Sequence, residues 1–294
     1  MAQLNRLLAA TDLSAPARHA AERAALLART SGAVLDLIHV STPAPLTKLR
    51  QLISDIPPEV EQRLLDASRE ELQQLAATLQ RHHGVAAGTC VVAGPLLEEI
   101  ARQATALQAD LLVFGARGAG FMRHLLLGST AERILSHSAL PTLVVKQAAH
   151  EPYKTLLVPV DFSASSHRAL SNALSLAPRA EIILLHAAIV PFEGKLRYAG
   201  VDDRTIHHYQ VAAEAAALQK LQALRDSVGA AGERISLRAV HGDPSQHIIQ
   251  LEQELDCDLI VVGKHGENPV EQLLLGSVTR HVLAESQCDV LVSL

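Results

Sequence analysis

The chain contains 294 residues, with 26 Lys and Arg against 31 Asp and Glu, which gives a formal net charge of −5 at pH 7. Because the charges form no long basic run, the sequence carries no electrostatic signature for a nucleic-acid backbone or an anionic membrane, and we exclude both as main partners. Hydrophobic residues make up 48% of the chain but aromatic residues only 2%. This composition predicts a core of Leu, Val, Ile and Ala, which is typical of parallel sheets covered by helices on both faces.

The sequence also bears on the cellular compartment. Its first residues lack the layout of a signal peptide, and no uninterrupted apolar run reaches the length of a membrane span. The three cysteines, Cys90, Cys257 and Cys288, are unclustered and suit a reducing compartment. We therefore expect a soluble, cytoplasmic protein, and we assign it no metal ligands and no catalytic residues.

The first half of the chain alternates strand and helix patterns. Apolar runs predict strands over 4–10, 33–40, 89–93, 111–114 and 142–146. Helical spacing predicts a helix that follows the N-cap Ser14 and runs to about Thr30, and further helices over 59–81, 95–107 and 129–136. Pro95 suits the first turn of its helix.

The second half repeats this order. Strands are predicted over 155–160, 182–186, 235–240, 259–262 and 290–292, with a long helix that ends near Gly229 and shorter helices after Ser163 and Pro244. Residues 147–152 form the predicted linker, so the predicted domains are 1–147 and 153–294. Alternating strands and helices imply right-handed crossovers. The fold class is therefore α/β, with two tandem, doubly wound, five-stranded parallel-sheet domains that are Rossmann-like.

A glycine motif occurs twice with one spacing. Gly115-x2-Gly118 is followed after nine residues by Gly128-Ser129, and the same pattern starts again at Gly263, 148 residues later. An isolated GxxG is more often a tight connection that binds nothing. Two copies with identical spacing, each completed by Gly-Ser where a helix begins, favour nucleotide binding in at least one domain.

The chemistry of the first motif suits a phosphate. Gly115 and Gly118 let the backbone turn sharply and approach a ligand without a Cβ in the way. Gly128 and Ser129 stand at a helix start, where free N–H groups and the positive end of the helix dipole attract anions. Together with Arg117, Ser129 would hold a polyphosphate. The second loop has His265 in place of Arg117, so we expect a different affinity there.

Three further pairs of residues fall at predicted strand ends. Asp12 and Asp161 each follow a first strand, where a carboxylate could accept hydrogen bonds from ribose hydroxyls or a base amine, or hold a divalent ion on the phosphates. An ordinary N-cap role is the alternative for either residue. His39 and His186 close the second strands and are interpreted as structural, while the residues that follow them, Val40 and Ala187, border a potential adenine pocket.

At these residues the chain resembles the universal stress protein family, specifically its tandem-domain members. The resemblance covers essentially the whole chain and includes Asp12-Leu-Ser14, Asp161-Phe-Ser163 and both Gly-x2-Gly-x9-Gly-Ser loops. It implies a sheet order of 3-2-1-4-5 and binding of ATP or another adenine nucleotide with Mg²⁺ or Mn²⁺. It also implies that the fifth strands, 142–145 and 290–293, pair antiparallel and make the chain an internal pseudo-dimer.

The resemblance also assigns roles to the loop residues. The expected phosphate-binding set is Gly115, Arg117, Gly118, Gly128, Ser129 and Thr130 in the first copy, and Gly263, His265, Gly266, Gly276, Ser277 and Val278 in the second. Val278 departs from Thr130, and Glu267-Asn-Pro269 stiffens the second loop, so we expect the first site to be the stronger one.

Three functions follow from these residues. The first is a cytoplasmic stress-response regulator in which bound ATP favours one arrangement of domains or of a surface for an unknown protein partner, with slow or no hydrolysis. The second is an enzyme that hydrolyses ATP or transfers an adenylyl or phosphoryl group, for which His265 and His124 are the neighbouring candidate bases. The third is an adaptor that needs no ATP. Association of two chains into a homodimer is left open.

Overall fold

The computed structural model describes residues 4–41, 58–116, 128–190, 192–265 and 275–294. The chain divides into two units, Ala2–Pro152 and Tyr153–Leu294, which we call the first and the second domain. The glycine motif occurs once in each domain, with Gly128 in the first domain and Gly276 in the second. Each domain is described by itself below.

The first domain contains five strands and four helices among its described residues. The strands are β1 (Arg6–Ala10), β2 (Val34–Ser41), β3 (Ala87–Ala93), β4 (Leu111–Gly115) and β5 (Thr142–Val145), and the helices are α1 (Ala15–Ser31), α2 (Pro58–His83), α3 (Leu96–Leu107) and α4 (Ser129–His137).

The second domain repeats this order with one additional short helix. Its strands are β6 (Thr155–Pro159), β7 (Glu181–Ala188), β8 (Ile235–His241), β9 (Leu259–Gly263) and β10 (Asp289–Ser293). Its helices are α5 (Ala164–Leu176), α6 (Glu193–Tyr198), α7 (Asp203–Asp226), α8 (Pro244–Glu254) and α9 (Ser277–Glu285), with a 3-10 helix over Gly229–Arg234.

The strand order is the same in both domains. In the first domain it is β3-β2-β1-β4-β5, and in the second it is β8-β7-β6-β9-β10, with every pair of neighbours parallel. The predicted fold class and the implied order 3-2-1-4-5 are therefore confirmed within each domain. The order reverses beside the first strand of each domain, which in such sheets is where ligands bind.

The central strands are buried along their length. All four residues of β5 and the first four of β4 and β9 are buried. Because successive side chains of a strand point to opposite faces, such runs require that both faces of the sheet are covered. The core is aliphatic as the composition predicted, and among the described residues its buried aromatic side chains are Phe114 and Tyr153.

The first helix shows why these residues form this fold. Ser14 caps α1 by accepting a hydrogen bond from the backbone N–H of Ala17, and Gly32 ends the helix in the left-handed region at φ 77°. Between the caps, small side chains such as Ala20 and Ala24 are fully buried. Alanine at these positions lets the helix backbone approach the sheet closely.

Four local features differ from the predictions. Pro95 is the N-cap of α3 instead of its first helical residue, and it lies at φ −66° and ψ 123°. The short helix α6 was not predicted, and the helix expected to end near Gly229 ends at Asp226, where a 3-10 turn follows. Strand β3 begins at Ala87 because that residue pairs with Leu35 of β2, a long-range contact that the local sequence does not signal.

Among the residues that the structure describes, none of the helices combines the length and the apolar character that crossing a membrane requires.

Candidate functional site

The carboxyl ends of three neighbouring strands form one edge of the first domain. Strand β1 lies between β2 and β4, and Ala10 is in register with both Ile38 and Phe114. Because the three strands are parallel, their carboxyl ends meet at the same edge of the sheet. This topology brings together Asp12, Val40 and Gly115, which belong to or directly follow these strands.

The second domain brings together the equivalent residues. Strand β6 pairs with β7 on one side and with β9 on the other. Asp161 follows β6, Ala187 lies in β7 and Gly263 is the last residue of β9. Both candidate sites therefore have the same frame.

The two strand-end aspartates form matching turns. An oxygen of Asp12 accepts a hydrogen bond from the backbone N–H of Ser14 at 3.0 Å, and Asp161 does the same with Ser163 at 3.0 Å. The residue enclosed in the second turn, Phe162, has φ 65°, and its counterpart in the first turn has φ 64°. These turns make the serines the N-caps of α1 and α5, so the N-cap role considered for the aspartates is wrong.

The middle residue of each turn has a strained, left-handed backbone conformation. Leu13 and Phe162 have a side chain, and a positive φ costs such residues about 1 kcal/mol or more. Backbone strain of this kind is retained where the surrounding structure requires it, and it clusters at binding sites. In the sequence, Asp-x-Ser recurs at the same place in both copies, and this recurrence marks the turn without predicting its left-handed residue.

The histidines at the ends of the second strands have structural partners. His39 Nδ1 lies 2.9 Å from the carbonyl oxygen of Thr11, and His186 Nδ1 lies 2.7 Å from that of Val160. A carbonyl can only accept, so Nδ1 carries the proton and donates in both cases. Each histidine thus links its strand to the residue just before Asp12 or Asp161, in agreement with the structural interpretation.

The two ends of each glycine loop are held together by backbone hydrogen bonds. The N–H of Gly128 donates to the carbonyl oxygen of Ala116 at 3.1 Å, and that of Gly276 donates to Lys264 at 3.0 Å. Residue 116 in turn donates to Val145 at 2.8 Å. The glycine that ends β4 or β9 and the start of the following helix are thus neighbours. Three of the predicted phosphate ligands lie outside the described residues: Arg117, Gly118 and Gly266.

The helices that follow the loops begin without a side-chain cap. The N-caps of α4 and α9 are Gly128 and Gly276, and the first helical hydrogen bonds run from the N–H of Glu132 and of Arg280. The amides of residues 129–131 and 277–279 therefore have no acceptor within their helices. By contrast, α1, α5, α7 and α8 begin at residues whose side chains accept such a bond: Ser14, Ser163, Asp202 and Asp243.

The hydroxyls near these amides differ between the copies. Ser129, Thr130 and Ser277 are exposed at the helix starts, whereas the position of Thr130 is taken by the half-buried Val278 in the second domain. Uncapped N–H groups and exposed hydroxyls are both hydrogen-bond donors. Together with the helix dipole, these donors make the first turn of α4 suited to an anion. The first turn of α9 is suited in the same way but has one exposed hydroxyl fewer.

The second loop also carries a buried cation. Lys264 replaces Ala116 and is only 5% exposed, and its burial lowers the pKa of the ammonium below the ordinary lysine value. One residue earlier, the carbonyl oxygen of Gly263 accepts a hydrogen bond from the hydroxyl of Thr279 at 2.7 Å. His265, the expected counterpart of Arg117, is half-buried. The two sites therefore share the positions of their glycines but differ in the side chains next to them.

An aromatic pair is a further feature of the second site that the sequence reasoning missed. The rings of Phe162 and His186 lie 4.5 Å apart, and the ammonium of Lys220 lies 5.3 Å from the centre of the Phe162 ring. In the first domain Leu13 occupies the position of Phe162. The region next to Ala187 thus has a flat aromatic neighbour that the region next to Val40 lacks.

The described ranges contain no group of three or more His, Cys, Asp or Glu side chains that could hold a metal ion by itself. Among the predicted site residues that the structure describes, the carboxylate of each site is Asp12 or Asp161. This donor set fits an ion such as Mg²⁺ only if phosphate oxygens and water supply its other ligands.

Known proteins resemble this chain in sequence. The family model described as the universal stress protein family matches residues 3–146 and 152–293. A universal stress protein of Mycolicibacterium smegmatis is 26% identical over 292 residues, which cover 97% of this chain and 96% of that protein. A second, from Methanocaldococcus jannaschii, is 28% identical over 153 residues, which cover 48% of this chain and 94% of that protein.

The fold has a counterpart among solved structures. The crystal structure of a universal stress protein from Archaeoglobus fulgidus superimposes with a TM-score of 0.73 and 21% identity, covering 99% of this chain and 98% of the other. At this identity the likeness is one of fold.

Proposed function

This chain belongs to the universal stress protein family, and from that premise we propose that it binds an adenine nucleotide, ATP first among them, at the carboxyl edge of its sheets. One observation carries the proposal. Helices α4 and α9 begin at Gly128 and Gly276 with N–H groups that no side chain caps. Each helix start lies next to the end of a strand that terminates in a glycine, β4 or β9, at the edge of the sheet where the aspartate turn also lies.

Each part of the nucleotide has residues that suit it. The phosphates would accept hydrogen bonds from the amides and hydroxyls at the start of α4, with Arg117 and Gly118 contributing from the loop. The carboxylate of Asp12 would face the ribose or a divalent ion, Mg²⁺ or Mn²⁺, carried by the phosphates. Val40 would border the adenine.

The second site would use the same roles with different residues. Gly263, Gly266, Gly276 and Ser277 would hold the phosphates, and Ala187 would border the base next to the Phe162 ring. This site lacks the hydroxyl of Thr130, and its lysine is buried, which supports weaker phosphate binding than in the first domain.

The role that suits these sites is regulation by binding. ATP would stabilise one of two states of the protein, which requires only a difference in its affinity for them. Rapid hydrolysis needs a base or a water-orienting group held against the phosphate. Of the two histidines considered, His265 occurs only in the second loop and His124 only in the first, and neither has an equivalent in the other copy.

The binding proposal is tested on the full-length protein. Purified protein is denatured and the released small molecules are analysed for adenine nucleotides, and nucleotide-free protein is titrated with ATP and Mg²⁺ by calorimetry. Ser129→Ala should weaken ATP binding about tenfold, since it removes a hydrogen bond to a charged group. Ser277→Ala should have a smaller effect at low ATP concentration, because we assign the stronger site to the first domain.

A matched control lies on the same helix. Ser136→Ala removes a hydroxyl that donates to the carbonyl oxygen of Glu132 near the other end of α4, and it should leave ATP binding unchanged. If no nucleotide is released and ATP produces no heat of binding, or if Ser136→Ala weakens binding as much as Ser129→Ala, the proposal is wrong. Single-turnover measurement with labelled ATP separates binding from hydrolysis, and a rapid loss of γ-phosphate that disappears in His265→Ala would favour an enzyme.

A further inference from the structure

A groove lies between helices α3 and α4 of the first domain, and its described lining includes none of the predicted nucleotide ligands. Its volume is about 480 Å³, within the range typical of small-molecule sites. It is lined mainly by apolar side chains, among them Ile100, Leu112 and Ile134, and it ends at the segment 138–140 that connects α4 to β5. This groove has no part in the nucleotide site proposed above.

The second domain provides an internal comparison, because its equivalent residues follow at an offset of 148. Two features support this alignment. Gln108, the C-cap of α3, and Asp256, two residues after the end of α8, both have a positive φ, of 54° and 47°. Asp110 and Asp258 both accept hydrogen bonds from backbone N–H groups at the start of the first strand of their domains. With this alignment Ala104 in the groove corresponds to Glu252.

Glu252 shows what occupies this position in the second domain. Its side chain is 3% exposed, and one carboxylate oxygen accepts hydrogen bonds from the backbone N–H groups of Gln287 and Cys288, both at 2.7 Å. These two residues lie in the segment between α9 and β10. The carboxylate of Glu252, carried on an aliphatic stem, therefore connects helix α8 to this segment.

The first domain has the same two N–H positions without the carboxylate. Ala139 and Leu140 are the counterparts of Gln287 and Cys288, and both line the groove. The N–H of Leu140 instead reaches the hydroxyl of Ser138 at 3.2 Å, a longer bond than either of those to Glu252. Because the side chain of Ala104 stops at Cβ, the space that the glutamate fills in the second domain is open here.

The ionisable side chains around the groove do not oppose an external carboxylate. His137 lies beside Ser138 at the end of α4. The equivalent position in the second domain, where Glu252 already supplies the carboxylate, is Glu285. The acidic residue that lines the groove, Glu98, is exposed and stands six residues before Ala104, about 9 Å away along the helix axis. Repulsion at the carboxylate position is therefore screened by solvent.

We propose that this groove binds a small monocarboxylic acid with an apolar body. The carboxylate would accept hydrogen bonds from the N–H groups of Ala139 and Leu140, as Glu252 does in the second domain. The apolar body would lie along Ile100, Leu112 and Ile134. The second domain carries the equivalent group covalently, so the site belongs to the first domain.

The test uses octanoate as the probe and octanamide as its neutral counterpart of similar shape. Calorimetry on the full-length protein should give binding of one octanoate per chain, about tenfold tighter than octanamide, because a charged acceptor forms the stronger hydrogen bonds. Saturating ATP should leave octanoate binding unchanged, since the two sites are separate. The proposal does not depend on nucleotide binding, so either can fail alone.

A matched pair of variants locates the site. Ala104→Glu supplies in the first domain the carboxylate that the second already has, and it should abolish octanoate binding. Ala77→Glu, at an exposed position of helix α2, should bind octanoate as the unaltered protein does. Absence of octanoate binding, equal binding of the amide, or retention of binding in folded Ala104→Glu would each overturn the proposal.

A measurement on the unaltered protein covers the case in which Ala104→Glu does not fold. In ¹⁵N-labelled protein, octanoate should shift the amide resonances of Ala139 and Leu140 more than octanamide does. If octanoate shifts other amides and leaves these two in place, the carboxylate lies elsewhere and the proposal is wrong.

Discussion

The hydroxyl oxygen of Ser165 lies 2.6 Å from the position that a Cβ atom on Gly263 would occupy. Ser165 is in the first turn of α5, and Gly263 is the last residue of β9 in the second candidate site. Within the described part of the chain, this hydroxyl is buried and has no hydrogen-bond partner. The glycine is therefore required by the packing of α5 on the strand end, in addition to any role toward a ligand.

This contact predicts the effect of Gly263→Ala. The added methyl group must displace Ser165, and the substitution should lower the free energy of unfolding of the second domain by about 1–3 kcal/mol. Ser165→Ala alone should change it by less than about 0.5 kcal/mol, because it removes a hydroxyl without a partner. The double variant should recover part of the loss. Urea unfolding followed by circular dichroism measures all three.

Gly194→Ala is the control for this cycle, since a Cβ at Gly194 would meet no atom within 4 Å. Strict additivity of the Gly263→Ala and Ser165→Ala effects would contradict the proposed contact, because neighbours that collide must show coupling.

The carboxylate of Glu252 predicts a second effect on stability. Glu252→Ala leaves the N–H groups of Gln287 and Cys288 without their acceptor and opens a cavity, which should cost the second domain about 2–4 kcal/mol. Glu252→Gln keeps one acceptor oxygen and should cost less. Thermal unfolding compares both with Glu254→Ala, an exposed position on the same helix. A loss in Glu254→Ala equal to that in Glu252→Ala would argue against this role.

The caps of the two equivalent helices should differ in strength. Ser163 Oγ accepts from the N–H of Ser166 at 3.2 Å and also donates to Asp161 at 2.6 Å, whereas Ser14 Oγ accepts from Ala17 at 3.4 Å. Ser163→Ala should therefore cost about 1–2 kcal/mol and Ser14→Ala about 0.5–1 kcal/mol, measured as shifts in the urea midpoint.

The control for the caps is Ser68→Ala within helix α2, where the hydroxyl donates to the carbonyl oxygen of Leu64 and caps nothing. This variant should be close to neutral. The prediction fails if Ser14→Ala costs more than Ser163→Ala.

Cys257 predicts how stability depends on alkaline pH. Burial is the main cause that raises the pKa of its thiol from 9.0 to about 12, with contributions from nearby carboxylates such as Glu252. The unfolded chain therefore loses this proton at lower pH than the folded chain. The stabilisation is fully present below about pH 9 and is lost as the pH rises toward 12, by at most about 1.4 kcal/mol per pH unit.

The measurement is the difference in the free energy of unfolding between the unaltered protein and Cys257→Ala. This difference should shrink between about pH 9 and pH 10.5, because titrations common to both proteins cancel. Cys90→Ala is the matched variant, and its half-buried thiol should give a smaller change. A difference for Cys257→Ala that stays constant over this range would contradict the prediction.

Much of the fold could be predicted from the sequence. Alternating apolar runs and helical spacing located the ten strands to within a few residues, and the repeated Gly-Ser pairs marked the starts of α4 and α9. These features are local, since a strand buried on both faces or a helix start leaves its pattern in neighbouring residues.

Part of the candidate site could not be predicted in this way. The left-handed conformation of Leu13 and Phe162 is unfavourable for such residues in isolation, and only their surroundings maintain it. The burial of Lys264 likewise depends on which elements surround the loop, although its position in the chain was known.

The sequence by itself determined that two copies of one α/β domain lie in tandem and that each has a glycine motif at a strand end. Only the tertiary structure decided what differences between the copies do at equivalent positions: Glu252 fills the space that Ala104 leaves open, and Ser165 packs on Gly263. The physical reason is the distance along the chain over which the interactions act. Periodicity and turn chemistry act between near neighbours, whereas cavities and buried polar contacts depend on side chains far apart in the chain.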